Sequence, residues 1–153
     1  MKALKILLLV LAAGFVIIQF LPSGMPENKP DDANSIASGS VITEPVMSRL
    51  RTACFDCHSN QTNFPWYSKI APTSWFLADH IKEGRSHLNF SEWETYNNRK
   101  KIKKLEDIVD EVKSGGMPLK SYLIIHKDAR LSNEDISSIT AWADTTASNI
   151  LKR

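Results

Sequence analysis

Apolar residues fall into three regimes along the chain. From Ile6 to Ile18 they form an unbroken run, which Gln19-Phe20-Leu21 extends to a stop at Pro22. From Pro22 to Glu44 the chain is rich in Pro, Ser, Gly, Asn and Asp, with only Met25, Ile36, Val41 and Ile42 as sizeable apolar residues. So little apolar surface cannot offset the entropy of ordering a segment. From Pro45 onward apolar residues return at three- and four-residue steps, the spacing of amphipathic helices. Val46, Met47, Leu50 and Cys54 predict a first helix that carries Cys54 and Cys57 on its inner face. Asn60 to Pro72 is irregular, broken by Pro65 and Pro72. Thr73 or Ser74 then caps a second helix that passes through Trp75, Ala78 and Ile81 to about Gly84. Ser91-Glu92-Trp93-Glu94 has the form of a capping box and opens a third helical region, interrupted near Asn97-Asn98. Its stripe is Ile102, Leu105, Val109 and Val112, and Gly115-Gly116 ends it. Ser132-Asn133-Glu134-Asp135 caps a last helix, with Ile136, Ile139, Trp142 and Ala143 inside, that reaches toward Ile150. The pattern is helical throughout, so the predicted fold class is all-α.

These regimes divide the chain into a leader (1–22), a linker (23–44) and one small domain (45–153). As a flexible coil of about 22 residues the linker would span on the order of 25 Å, letting the domain swing. The leader has the basic start (Lys2, Lys5) and apolar run of an export signal, with a length between a signal-peptide core and a full membrane span. Gln19 to Gly24 is a poor signal-peptidase site and no cysteine lies near it for lipoprotein processing. An uncleaved anchor with its N-terminus in the cytoplasm is therefore expected, a removed signal peptide being the alternative. The chain carries 19 basic and 17 acidic residues, and the excess lies in Lys2 and Lys5. Nothing in that balance suggests a nucleic-acid partner. Arg99, Lys100, Lys101, Lys103 and Lys104 are followed closely by Glu106, Asp107, Asp110 and Glu111, the pattern of a solvated helix face. A docking patch for an acidic partner is the sharper possibility.

The most specific chemistry is Cys54-Phe55-Asp56-Cys57-His58, a C-x-x-C-H motif that uses both cysteines of the chain. That is the attachment signature of a c-type haem. Two thiols three residues apart on one helical turn can reach the two vinyl groups of one porphyrin, and the adjoining histidine then meets the iron. A zinc site would have to recruit distant histidines. A thioredoxin-like dithiol belongs in a βαβ context that is missing here, and a plain disulfide leaves the histidine unexplained. Attachment at such a motif takes place outside the cytoplasm in bacteria, which agrees with the leader. The expected location is the inner membrane, single-pass, with the haem domain in the periplasm.

The order of parts resembles a class I cytochrome c. More closely, Cys54 to Asn60, Pro65 to Pro72, Gly84-Arg85, Leu88 to Trp93 and Met117-Pro118-Leu119 are similar to the bacterial haem-binding domain family related to such cytochromes. The resemblance implies one covalently bound haem c in a small cytochrome c-like helical domain and names no partner.

With His58 on one face of the iron, the other face needs a ligand or stands open to water. Met117, His80, His87 and His126 are the candidates; Met117 is the sole methionine beyond the motif, held in a Gly-Gly-Met-Pro loop. Ordinary core packing is its competing role, as local packing is for each histidine. Trp66, Tyr67 and Trp75 can cover porphyrin edges or reach propionates, and Lys69 and Arg85 can pair with propionate charge. Generic packing explains these five as well. The expected function is a monohaem carrier of single electrons between redox partner proteins. The alternative is a haem-based sensor or small-ligand-binding module. No acid–base constellation suggests an enzyme, and a peroxidase-like activity would need an accessible iron with a distal base.

Overall fold

The computed structural model describes residues 1–39 and 41–152. Ser40, inside the expected linker, and Arg153, at the end of the expected domain, lie outside the described residues. Those residues form seven α-helices and no strand: α1 (Lys2–Ile18), α2 (Ile36–Gly39), α3 (Glu44–Ala53), α4 (Phe55–His58), α5 (Thr73–His87), α6 (Asn98–Ser114) and α7 (Asn133–Leu151). Short 3₁₀ turns at Trp66–Lys69, Phe90–Thr95, Tyr122–Ile124 and Lys127–Ala129 fill the connections.

The core lies where α6, α7 and α3 meet. Leu50, Leu105 and Ile139 are almost wholly buried there, with Val109, Val112, Trp142 and Ala143 around them. The expected stripes of α6 and α7 are therefore the faces that pack. α7 opens as predicted: the Ser132 hydroxyl accepts from the Asp135 N–H at 3.1 Å, and the Asp135 carboxylate accepts from the Ser132 N–H at 2.9 Å. α6 closes at Gly115, whose φ of 72° is the left-handed geometry that suits glycine.

Three expected boundaries move. The first helix is not continuous: Cys54, at φ −128° and ψ −38°, breaks it into α3 and α4. The Cys54 N–H still donates to the Leu50 carbonyl across the break, and the Cys57 and His58 N–H groups both donate to the Cys54 carbonyl. The second helix runs past Gly84 to His87. The capping signature at Ser91 falls inside a 3₁₀ turn that Asn89 caps, with Phe90 and Trp93 buried, and α6 begins only at Asn98, where the Asn97 side chain accepts from the Lys100 N–H at 2.9 Å. Ser91 is diverted by long-range partners: its hydroxyl accepts from the Asn60 N–H at 3.0 Å and faces the Asp31 carboxylate at 3.4 Å.

The linker is the largest correction, since much of it is docked on the domain rather than free. Ile36 and Ser35 have no exposed surface, and the Asn34 carbonyl accepts from the Glu94 N–H at 2.9 Å. Asn28 trades two hydrogen bonds with the Thr62 backbone, at 2.8 and 3.0 Å, and the Lys29 N–H donates to the Asn60 carbonyl at 2.9 Å. A segment poor in apolar residues is thus ordered by hydrogen bonds to the backbone of the domain and by the burial of Ile36. α1 projects with apolar residues exposed all along it, and no described helix is long and apolar enough to cross a membrane.

Candidate functional site

The motif residues are positioned by the α3–α4 break and by α5. Cys54 sits at the break, Cys57 and His58 lie in α4, and α5 crosses directly over them at Gly84. A Cβ at that position would stand 2.6 Å from the Cys57 carbonyl oxygen, so only glycine lets the helices approach this closely. The crossing brings two carbonyls to the imidazole, that of Gly84 in α5, which also accepts from the Leu88 N–H at 2.9 Å, and that of Leu88 at its exit. The His58 Nδ1–H donates to Gly84 O and Leu88 O, at 3.0 and 3.1 Å. With the proton held there, Nε2 carries the lone pair, the tautomer that a ligating histidine needs. Burial is the main cause of a His58 pKa below the ordinary histidine value, opposed by the two carbonyls and reinforced by His87 and Lys104. The ring is therefore a neutral donor.

Cys54, Cys57 and His58 line one cleft of about 550 Å³. Leu50 and Phe90 add to its apolar surface, and Ile108, Val112, Met117, Pro118, Leu119 and Ile139 supply the rest from α6, the following loop and α7. Charged and polar residues also line it: His80, Glu83 and His87 from α5, and Lys104, Asp107, Asp110 and Glu111 from α6. Both thiols are free. Burial pushes the Cys54 thiol up to about 12, with Cys57 adding to the effect, and pushes Cys57 up to about 11, with Asp56 raising it further and Arg85 opposing. Thiols held protonated at neutral pH are poor nucleophiles for disulfide exchange. Among the described residues no three His, Cys, Asp or Glu side chains converge on a metal-sized site. The donor set instead fits a porphyrin: an apolar slot, two adjacent thiols and one oriented imidazole.

The other expected site residues divide. Met117, His80 and His87 line the cleft, with His80 Nδ1 bonded to the Phe76 carbonyl at 2.9 Å. His126 does not line it; its Nε2 meets the Tyr67 hydroxyl at 2.9 Å and its ring stacks on Tyr122 at 4.2 Å. Trp66, Tyr67, Trp75 and Lys69 do not line the cleft either, and Trp66 is 75% exposed. Arg85 is turned away, its guanidinium donating to Ser59 O at 2.8 Å, Glu27 O at 3.1 Å and Thr62 Oγ1 at 3.1 Å. It organises the docked linker rather than the slot. Sequence reasoning missed Gly84, Tyr122 and Lys104. Tyr122 lines the cleft and donates to the Asp56 carboxylate at 2.7 Å, tying the Met117 side of the chain to the motif.

A family model for the haem-binding domain matches residues 13–145. The chain belongs to the haem-binding domain family. No curated protein and no solved structure matches it. The matched span takes in the end of α1, the docked linker and most of α7, so the family unit is larger than the compact part predicted from periodicity. As a haem-binding domain, the chain has in its motif-lined cleft the place where that group fits.

Proposed function

We propose that this haem-binding domain is a monohaem c-type cytochrome, a non-catalytic carrier of single electrons between redox proteins at the periplasmic face of the inner membrane. The observation that carries the proposal is the presentation of both thiols and a tautomer-fixed imidazole, from the α3–α4 break and α4, to one apolar cleft. In this reading Cys54 and Cys57 would hold the haem as thioethers, and His58 Nε2 and the Met117 thioether would ligate its iron, as the resemblance to a class I cytochrome c implies. The haem, when bound, supplies a one-electron iron couple whose potential a thioether ligand raises. The chain's own residues do the rest. The Gly84 and Leu88 carbonyls aim the imidazole, while Leu50, Phe90, Val112 and Ile139 keep water from the slot.

α1 is read as the anchor. Its 17 residues extend about 26 Å at 1.5 Å per residue, against about 30 Å of hydrocarbon, and Phe20 and Leu21 continue its apolar surface. Lys2 and Lys5 would keep its start in the cytoplasm.

Expression with a c-type maturation system tests the core of the proposal. The intact mass should rise by one haem, and acidified organic solvent should leave the pigment on the polypeptide. Pigment that extracts freely from fully matured protein overturns covalent attachment.

A second reading, a haem-based sensor, draws on one observation. Met117 also lines an adjoining cavity of about 420 Å³ with Val112, Leu123, Leu131 and Ile136, which gives its side chain somewhere to go when a small ligand takes its place. Carbon monoxide separates the two: a closed carrier resists it in the reduced state, whereas a sensor binds it readily.

A further inference from the structure

Gln19, immediately after α1, makes a two-point contact with the haem-binding domain. Its amide oxygen accepts from the Ala71 N–H at 2.9 Å, and its Nε2 donates to the Ala71 carbonyl at 3.2 Å. Both backbone groups of one residue are thereby used, so the end of α1 is fixed to the stretch that joins the Trp66–Lys69 turn to α5. The docked linker secures the same arrangement from the other side, through Arg85, Asn28 and Thr62. A domain held at both places cannot swing on a coil.

The stretch around Ala71 carries large apolar side chains that the fold leaves in the open. Trp66 is 75% exposed, Ile70 37% and Phe76 55%; across the Gln19 contact Phe20 is 83% exposed. α1 itself exposes Leu9, Val10, Phe15, Val16 and Ile17, so the apolar surface continues from the helix onto the domain. Tryptophan and phenylalanine beside an exposed lysine, here Lys69, are the residue types that settle at the boundary of headgroups and acyl chains. The patch is also close to the cleft: the Phe76 ring lies 4.0 Å from that of His80, which lines it.

We propose that the Trp66–Phe76 stretch is a lipid-facing surface, which with Phe20 lays the domain on the bilayer in a fixed orientation and brings the His80 side of the haem cleft near the membrane. This rests on the reading of α1 as a retained anchor. A protein partner covering the same patch is the competing occupant.

The test uses the matured full-length protein in vesicles of phosphatidylethanolamine and phosphatidylglycerol. Nitroxide labels are placed on Trp66→Cys, Phe76→Cys and, as a control, Asp144→Cys on the exposed side of α7. Collisional relaxation by lipid-soluble oxygen is compared with that by a water-soluble nickel chelate. Side chains seated about 5–10 Å into the interface should show an oxygen-to-nickel ratio about twofold or more above that of the control. Ratios at 66 and 76 equal to the control, in protein that resists carbonate washing, overturn the lipid-facing surface while leaving the anchor intact, and give the patch to a protein partner. Protein that washes off, or that has lost α1, overturns both.

Discussion

Gly84 decides how closely α5 approaches the motif, a role that periodicity did not show: the sequence offers it as a helix terminus and, with Arg85, as part of the family likeness. The contact that requires it joins residues far apart in the chain, and local pattern carries no record of such a contact. Gly84→Ala puts a methyl group 2.6 Å from the Cys57 carbonyl oxygen and 3.2 Å from its Cβ, and backbone cannot yield as a flexible side chain can. The substitution should cost about 1–3 kcal/mol, the usual penalty of overpacking, seen as a lower denaturant midpoint. It should also shift the haem spectrum, because the carbonyl bonded to His58 Nδ1 belongs to Gly84 itself. A variant with wild-type midpoint and spectrum would show that the crossing tolerates a side chain. That Met117 lines the cleft was legible, because it is the one downstream methionine and sits in a Gly-Gly-Met-Pro loop. Met117→Ala should keep its haem, since the thiols and His58 are untouched. Its reduction potential should fall by on the order of 100 mV, within the roughly 0.8 V range that axial ligands command, and the reduced form should bind carbon monoxide. Equivalent variants of His80 and His87 should do neither; a response from one of them instead would reassign the ligand.

The boundary at Ser132, set by a neighbouring residue, was legible, and the one expected at Ser91, whose partners are distant, was not. The Ser132 signature and the Ser91 signature look alike in sequence, yet only the first caps an α-helix. Ser132 has its partner three residues away, whereas Ser91 answers to Asn60 and Asp31. Ile36 failed for the same reason: one apolar residue in a polar stretch says nothing of the pocket that buries it. The Ser132 box carries a pH signature. The Ser132 N–H first, then its hydroxyl and Arg49, hold the Asp135 carboxyl below the usual carboxylate range, with burial opposing. A carboxylate whose folded pKa is depressed stabilises fully above the unfolded value, about 3.9, and loses that contribution as pH falls through the folded one. Ser132→Ala should therefore cost about 1 kcal/mol at pH 7. The gap between variant and wild type should narrow once the pH drops below about 4, as the Asp135 side of the box is protonated. Parallel denaturation curves at the two pH values measure it. A gap that is unchanged in acid would mean that the contact of the Ser132 hydroxyl with the Asp135 carboxylate contributes nothing, since the Ser132 N–H bond to that carboxylate is kept in the variant.

Over the whole molecule, the core and the cleft share residues. Leu50, Phe90, Ile108, Val112 and Ile139 belong to the buried cluster and line the slot as well, so a bound porphyrin would complete the packing of α3, α6 and α7 rather than occupy a surface pocket. Where α6 and α7 pack directly, through Leu105, Val109, Trp142 and Ala143, the helices do not depend on the slot being filled. Preventing attachment with Cys54→Ala and Cys57→Ala should therefore separate two levels of order. Far-ultraviolet circular dichroism should keep most of the helix signal, because local hydrogen bonds and the α6–α7 contact survive. Near-ultraviolet signal should weaken, a dye that seeks apolar surface should bind, and unfolding should lose cooperativity, as when helices remain but specific packing is gone. The loss of stability should exceed the roughly 1–3 kcal/mol typical of single substitutions, since an apolar slot of about 550 Å³ is then open to water. Cys54→Ser and Cys57→Ser variants given excess free haem provide the control: non-covalent binding through His58 should restore much of the near-ultraviolet signal. Haem-free protein as cooperative and as stable as the matured form would show that the slot is rigid without its ligand, and that haem contributes nothing to the fold.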